Sequence, residues 1–397
     1  MTATAPHRPP APSLTPGLML LLTLTMFVCS GNVHFQTPML TAIGAEFGAG
    51  AAATGWVPTL SFAGFLAGTV FLVPLGDRFD KRSLFLAQFA ILIVAVLAMA
   101  AAPSLAVLAF ASFFAGIGCS SASQNIIPMV AEMTSPGERG RIVGTLLTGL
   151  FLGILYARVA GGFVAAHLGW RWMYVISACT LLALAPVLYR RLPRFAPTTH
   201  LGYFALLRSI GVLLRQYADL RRVAIIQALL GVTYGSFWAT IAAMLLQYHQ
   251  LGPAQAGLMG IPGAAGILIA RPAGHWMDRR GVTPVVTTGI CVVIAAFLAL
   301  AFADHWVAAA VAGAILLDCG LRGAMVANQT LINTIVPDAR SRSNTIFSGG
   351  VWGGNALGAF LASIALAYSG WLAVCGIAIG AAVLALAVQL RSSAKSK

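Results

Sequence analysis

The chain has 397 residues, 59% of them hydrophobic, with 24 Lys plus Arg against 10 Asp plus Glu and a formal net charge of +14, although only 9% of residues are charged. Soluble domains are about a quarter charged, so a chain with mean hydropathy +0.88 lacks the polar surface to face water, and lipid must cover most of it. The basic excess is therefore not read as a nucleic-acid footprint, and no nucleic-acid partner is expected.

In chain order, residues 1–14 are rich in Pro and Ala and read as a disordered N-terminus. The apolar run that follows is too long for a cleaved signal and lacks an A-x-A-type site, so it is expected to stay as the first helix. Leu14 to Leu75 reads as a helical pair with Glu46 in its turn. The stretches Ser83 to Ala131, Val223 to Ala270 and Ser343 to Leu390 contain no Asp, Glu, Lys or Arg. Each is long enough for two spans of about 20 residues, broken at AAPS (101–104), LGPAQAG (251–257) and YSGW (368–371). Two further pairs turn around HLGWRW (167–172) and Asp304-His305. The expectation is an all-α integral membrane protein of twelve transmembrane helices. Residues 15–190 form one six-helix bundle and 222–390 a second. The linker 191–221 joins them, with an amphipathic stretch from Tyr203 to Leu214 expected on the membrane surface, and 391–397 form a tail.

An even helix count puts both termini on one side. That face collects Arg78, Lys81, Arg82, Arg139, Arg141 and the run Arg190, Arg191, Arg194, Arg208, Arg215, Arg221 and Arg222, as well as Arg279 and Arg280, whereas the opposite loops keep only Arg171. This asymmetry predicts a multi-pass protein with the charged face and both termini in the cytoplasm, in contact with anionic lipid. Cys29, Cys119, Cys179, Cys291, Cys319 and Cys375 fall in predicted helices without metal-type spacing and are expected as buried packing residues, so no metal is expected.

The halves repeat at a constant shift of 201 residues: Asp77-Arg78 maps on Asp278-Arg279, Pro136 on Pro337, Gly149 and Gly153 on Gly350 and Gly354, and Gly169-Trp170 on Gly370-Trp371. Six helices separate the copies, so both halves share one orientation and are related by an axis along the membrane normal. Small residues one turn apart let helix backbones approach, and the paired glycines are expected at the interfaces that move.

The stretch VPLGDRFDKR (73–82) and its second copy GHWMDRRG (274–281) resemble the signature loop of the major facilitator superfamily. QTPML (36–40), PLGDR (74–78), ERGRIVG (138–144) and GILYAR (153–158) are similar to bacterial efflux permeases grouped with drug or sugar exporters. The resemblance spans the chain and implies a bacterial inner-membrane secondary transporter, expected as a monomer, with gating residues Asp77, Arg78, Arg82, Asp278 and Arg279 in the signature loops. The sequence departs from the family's proton antiporters at Ser112, where they often carry Arg, and at Ala157-Arg158, where their fifth helix often carries glycines.

In that fold the substrate cavity lies near the midplane, so polar residues inside helices are its candidates. The first helix offers Asn32, His34 and Gln36, the fourth Gln124 and Asn125, and the fifth Arg158. The seventh offers Tyr234 and Trp238, the tenth Arg322, and the eleventh Trp352 and Asn355. Asp318 lies deep in the tenth helix, four residues before Arg322 on the same face. It either exchanges a proton during transport, with His34 as a second carrier, or forms a permanent ion pair. Arg158 and Arg322 against Asp318 leave the helix interior one positive charge in excess, which biases it toward an anionic substrate.

No P-loop, HExxH or assembled Ser/His/Asp set is found, so neither an enzyme nor an ATP-driven pump is expected, and no cofactor. The leading expectation is a secondary transporter that moves a small organic solute by alternating access in proton-coupled efflux. Uptake or exchange of small organic anions is the alternative within transport, and a membrane sensor without flux is the alternative of another class.

Overall fold

The structure is a computed structural model that describes residues 14–135, 137–195, 202–336 and 339–393, and only the backbone of Asp77, Ser123, Ala270, Arg271, Ser392 and Ser393. The expected disordered segment up to residue 13, the repeat pair Pro136 and Pro337, the tail beyond Ser393 and the Asp77 side chain lie outside the described residues.

Among the described residues, twelve helices are long and apolar enough to cross a membrane. In the first half they are α1 (Pro16–His34), α2 (Ala51–Leu72), α3 (Lys81–Ala100), α4 (Leu105–Glu132), α5 (Arg139–His167) and α6 (Trp170–Arg191). In the second they are α7 (Ala218–His249), α8 (Pro253–Arg280), α9 (Val282–Leu300), α10 (Val307–Ile335), α11 (Arg340–Ser369) and α12 (Trp371–Arg391). Short polar side chains start several of them by accepting from free N–H groups of the first turn: Thr15 from Leu18 in α1, Asp80 from Arg82 and Ser83 in α3, and Ser104 from Val107 in α4. Large apolar side chains face outward along the spans, among them Leu20, Phe110 and Leu268, as a lipid solvent allows.

Local geometry repeats with the sequence. Gly169 and Gly370 have φ of 91° and 78°, and glycine turns the chain there between α5 and α6 and between α11 and α12 without a Cβ penalty. The tryptophans that follow are both anchored through the indole N–H, Trp170 to Glu46 Oε2 and Trp371 to Leu300 O, each at 2.6 Å. Within the first half α1 packs on α5, and within the second α7 packs on α11. At these crossings Gly149 and Gly153 face the carbonyls of Thr23 and Phe27, and Gly350 and Gly354 face those of Ala224 and Ala228. All four glycine–carbonyl pairs obey the same shift. The glycine pairs therefore sit inside each bundle, contrary to the expectation that they line moving interfaces, because the close backbone crossing they permit is the one that builds each half.

Two further expectations change. The chain after Phe35 continues as a helix, Gln36–Phe47, that ends at Gly48 with φ 61°, so Glu46 lies in a last helical turn and not in the connecting loop. Residues 16–47 thereby correspond under the shift to the single 32-residue helix α7. Cys29, Cys119 and Cys375 are buried, but Cys319 is half-buried and Cys179 and Cys291 are exposed, since an outward thiol on a span meets an apolar solvent. The linker helix Tyr203–Gln216 contacts α11, and its Leu213 clusters with Leu220, Ile332, Ile346 and Phe347 of the second half, while Phe204 stands exposed.

The two halves touch at the end away from the basic loops. There α2 meets α11 so closely that a Cβ on Gly55 would lie 2.1 Å from Ser363 Oγ, with Trp56 and Phe360 rings 5.1 Å apart alongside. Beside it α5 meets α8, where a Cβ on Gly162 would lie 2.3 Å from Pro253 O. Toward the basic end the halves diverge and leave a cavity between them.

Candidate functional site

The cavity measures about 710 Å³ and is walled by α1, α4 and α5 on one side and α7, α10 and α11 on the other. Its inner end carries His34, Tyr234, Asp318 and Arg322, and its mouth at the basic end carries Lys81, Glu132, Asn333 and Asn344.

Seven of the eleven substrate candidates read from the sequence line it: His34, Gln124, Asn125, Tyr234, Arg322, Trp352 and Asn355, together with Asp318. A π-helical turn at Ala122–Ile126 widens α4 and presents Gln124 and Asn125; such turns recur at functional sites. Asn125 Nδ2 donates to Gln88 Oε1 at 2.8 Å, and Gln124 Nε2 donates across the halves to Ser348 Oγ at 3.4 Å. His34 places Nδ1 2.9 Å from Ser30 O and Nε2 3.4 Å from the Tyr234 hydroxyl. Arg322 Nε stands 3.9 Å from Asp318 Oδ1, and its guanidinium lies 4.6 Å from the centre of the Phe151 ring. Asp318 Oδ2 has no hydrogen-bond partner among the described residues. Trp352 stacks on Phe65 with centroids 3.8 Å apart.

The other four candidates do not line the cavity. Asn32 donates to Val28 O and accepts from Ser177 Oγ, tying α1 to α6. Gln36 donates to Val33 O. Arg158 and Trp238 are brought together in the seam between the halves, 3% and 1% exposed. The Arg158 guanidinium lies 3.2 Å from the centre of the Trp238 ring and donates to Tyr234 Oη at 2.6 Å. Of the expected gating residues, Arg82 bonds to the carbonyl and lies near the ring of Tyr189 in its own half, and Arg78 lies beside Phe79. Asp278 and Arg279 are exposed. None of these four side chains bonds to the opposite half among the described residues, which is consistent with halves that are apart at this end.

Lining residues beyond those read from the sequence include Lys81, Glu132 and Gln227. Lys81 and Glu132 form an ion pair at the cavity mouth, where the sequence reading assigns Lys81 only to the charged face. Gln227 lines the cavity, is 3% exposed, and leaves Nε2 without a partner among the described residues. It lies two helical turns before Tyr234 on the same face of α7, a spacing visible in the sequence. No group of His, Cys, Asp and Glu able to hold a metal ion occurs among the described residues.

Outside the membrane spans, two carboxylates are tuned by their partners. Hydrogen bonding from Arg171 and then Trp170 holds the Glu46 carboxyl below its usual range. At Asp80 burial acts upward, but N–H groups of Phe195, Arg82 and Ser83 and the Ser83 hydroxyl outweigh it and hold the carboxyl low.

The family model of the Major Facilitator Superfamily matches residues 22–232 and 223–396. The chain is 32% identical to the uncharacterized transporter YgaY of Escherichia coli O157:H7 over 367 residues, 92% of this chain and 93% of that one. It is 24% identical to the multidrug resistance protein B homolog of Mycobacterium tuberculosis (strain ATCC 25618 / H37Rv), covering 82% of this chain and 71% of that one. The crystal structure of a bacterial homolog of the human lysosomal transporter Spinster, inward-facing and occupied, shares the fold with a TM-score of 0.76 at 16% identity, over 95% of this chain and 96% of that one.

Proposed function

The chain belongs to the Major Facilitator Superfamily, and from that premise we propose that this transporter, acting as a monomer in a bacterial inner membrane, exports a small organic solute in exchange for protons. The observation that carries the coupling is Asp318. A carboxylate at membrane depth needs a counter-charge, water or a proton. Among the described residues, Asp318 faces the cavity with one ion pair at 3.9 Å and an Oδ2 without a hydrogen-bond partner, so its charge is only partly compensated. Proton uptake relieves that deficit and releases Arg322, and proton loss restores the pair. His34, near Tyr234 in the same cavity, offers a second carrier.

The loop charges favour the open, basic end as the cytoplasmic one, with both termini beside it. An exporter loads its solute in such a state, and export is supported by the likeness to the multidrug resistance protein B homolog. The opposite state requires the seams between α2 and α11 and between α5 and α8 to part. Arg158 belongs to the first half and its partners Tyr234 and Trp238 to the second, so this contact acts as a latch on the closed end.

The test is solute-driven proton movement in vesicles with an imposed pH gradient. The parent chain is expected to move protons opposite to the solute, and Asp318→Asn to lose at least about tenfold of that flux, the effect of about 1.4 kcal/mol. Flux that ignores the gradient, together with an unaffected Asp318→Asn variant, would overturn the coupling role.

A second reading, uptake or exchange of small organic anions, is favoured by Arg322. Its guanidinium faces the cavity and makes no hydrogen bond among the described residues, and arginine stays charged. A ligand carboxylate that draws Arg322 away from Asp318 leaves that acid to take a proton. Anion and proton then move together, and the sign of the pH change in the same vesicles separates the two readings.

A further inference from the structure

Resting on the anion reading of the same cavity, we propose that the ligand is a flat aromatic monocarboxylate, with its ring against Trp352 and its carboxylate on Arg322. The hydrogen-bonding balance of the wall supplies the first reason. Arg322 presents donors with no acceptor among the described residues, and Gln227 Nε2 is a buried donor in the same condition. Of the other polar groups of the wall, Asn125 is engaged with Gln88, Gln124 with Ser348, and Asn355, in its hydrogen-bonded orientation, with Val351 O and Gly231 O, whereas the Asp318 Oδ2 acceptor is left for the proton. Buried donors are ordinarily satisfied, and here a ligand rich in acceptors supplies what the protein does not. A carboxylate matches the planar fork of Arg322, and a second acceptor on the ligand matches Gln227.

The apolar part of the wall supplies the second reason. Trp352 is only partly buried, is backed on one side by Phe65, and lines the cavity together with Phe151, Tyr234 and Phe347. A backed indole is a rigid platform for a flat ring, which gains from offset stacking beyond its buried area. A saturated ring of equal size would find the same room without that gain. The volume of about 710 Å³ suits a ligand of one or two rings.

The experiment is titration calorimetry on the purified full-length protein without a pH gradient, using benzoate, benzamide, benzylamine, cyclohexanecarboxylate and acetate as probes. Benzoate is expected to bind at least about tenfold more tightly than benzamide, benzylamine or acetate, since losing a charge-assisted pair or the ring contact costs that much. It should exceed cyclohexanecarboxylate about fivefold, and Trp352→Leu should erase that ratio while Trp352→Phe retains it. Arg322→Gln should erase the preference for benzoate over benzamide. The comparisons within the parent chain hold whether or not a variant folds, and the ligand-free melting temperature identifies variants that do not. Equal binding of benzoate and cyclohexanecarboxylate by the parent would overturn the ring platform and leave the anion reading standing. Benzylamine binding with benzoate silent would overturn both and leave the proton-coupled export reading untouched, because no gradient is applied.

Discussion

Arg158 and Arg322 are the same residue type at comparable depth, yet they end in different surroundings. Arg322 is turned to the cavity, while Arg158 is buried against Trp238 and Tyr234 across the seam. Sequence listed both as cavity cations because it registers the cost of an intramembrane charge without the direction of the side chain. Gln227 is not among the amides read as candidates, although its spacing to Tyr234 places it on the same face of α7. Arg171, isolated among its neighbouring loops, acquires a structural reason, for it bonds to Glu46 and to Ala102 O. The sign of its effect on pH stability follows. Because Glu46 titrates lower in the folded protein than its ordinary value of 4.5, the contact stabilises fully above that pH and is lost as pH falls through the lower folded value. Acidification from pH 7 to about 3.5 should therefore lower the melting temperature of the parent more than that of Glu46→Gln, by a small margin because the pair is solvent-screened.

At the level of elements, the helix crossings are the most legible feature. Gly149 and Gly153 and their copies at the shift of 201 announce close backbone approach, and the structure supplies the carbonyls they approach. A Cβ on Gly153 would lie 2.2 Å from Phe27 O, and one on Gly354 2.0 Å from Ala228 O. Gly153→Ala and Gly354→Ala should each destabilise by about 1–3 kcal/mol, as overpacked sites do, with similar falls in melting temperature because the two sites do the same work. A large difference between them would show that the crossings are not equivalent. The π-helical turn in α4 was not legible, since a single extra residue in a helical turn leaves no periodic mark over so short a run.

At the level of the molecule, contact between the halves at one end and separation at the other define a state open toward the basic loops. The seam is held by glycines as well as by Arg158. A Cβ on Gly162 would lie 2.3 Å from Pro253 O, so Gly162→Val strains this state and spares one in which α5 and α8 have parted. The variant should increase labelling of a cysteine placed on the seam by an impermeant reagent applied from the non-basic side, by about tenfold if the strain difference is about 1.4 kcal/mol. Unchanged labelling in a folded variant would show that the two helices do not separate there.

The sequence by itself determined the number and order of the helices, the alternation of loop charge, the repeat and the family, because lipid imposes length and apolarity on each span separately, and those are local properties. The tertiary structure alone decided which polar groups meet between helices. Direction around a helix axis and depth of crossing are set by packing between helices, and at the site the repeat is broken: the positions equivalent to Tyr234, Asp318 and Arg322 are Val33, Ile117 and Ser121. A symmetric scaffold thus carries an asymmetric site: Tyr234, Asp318 and Arg322 belong to the second half, and His34 and Phe151 join them only when the two halves are placed face to face.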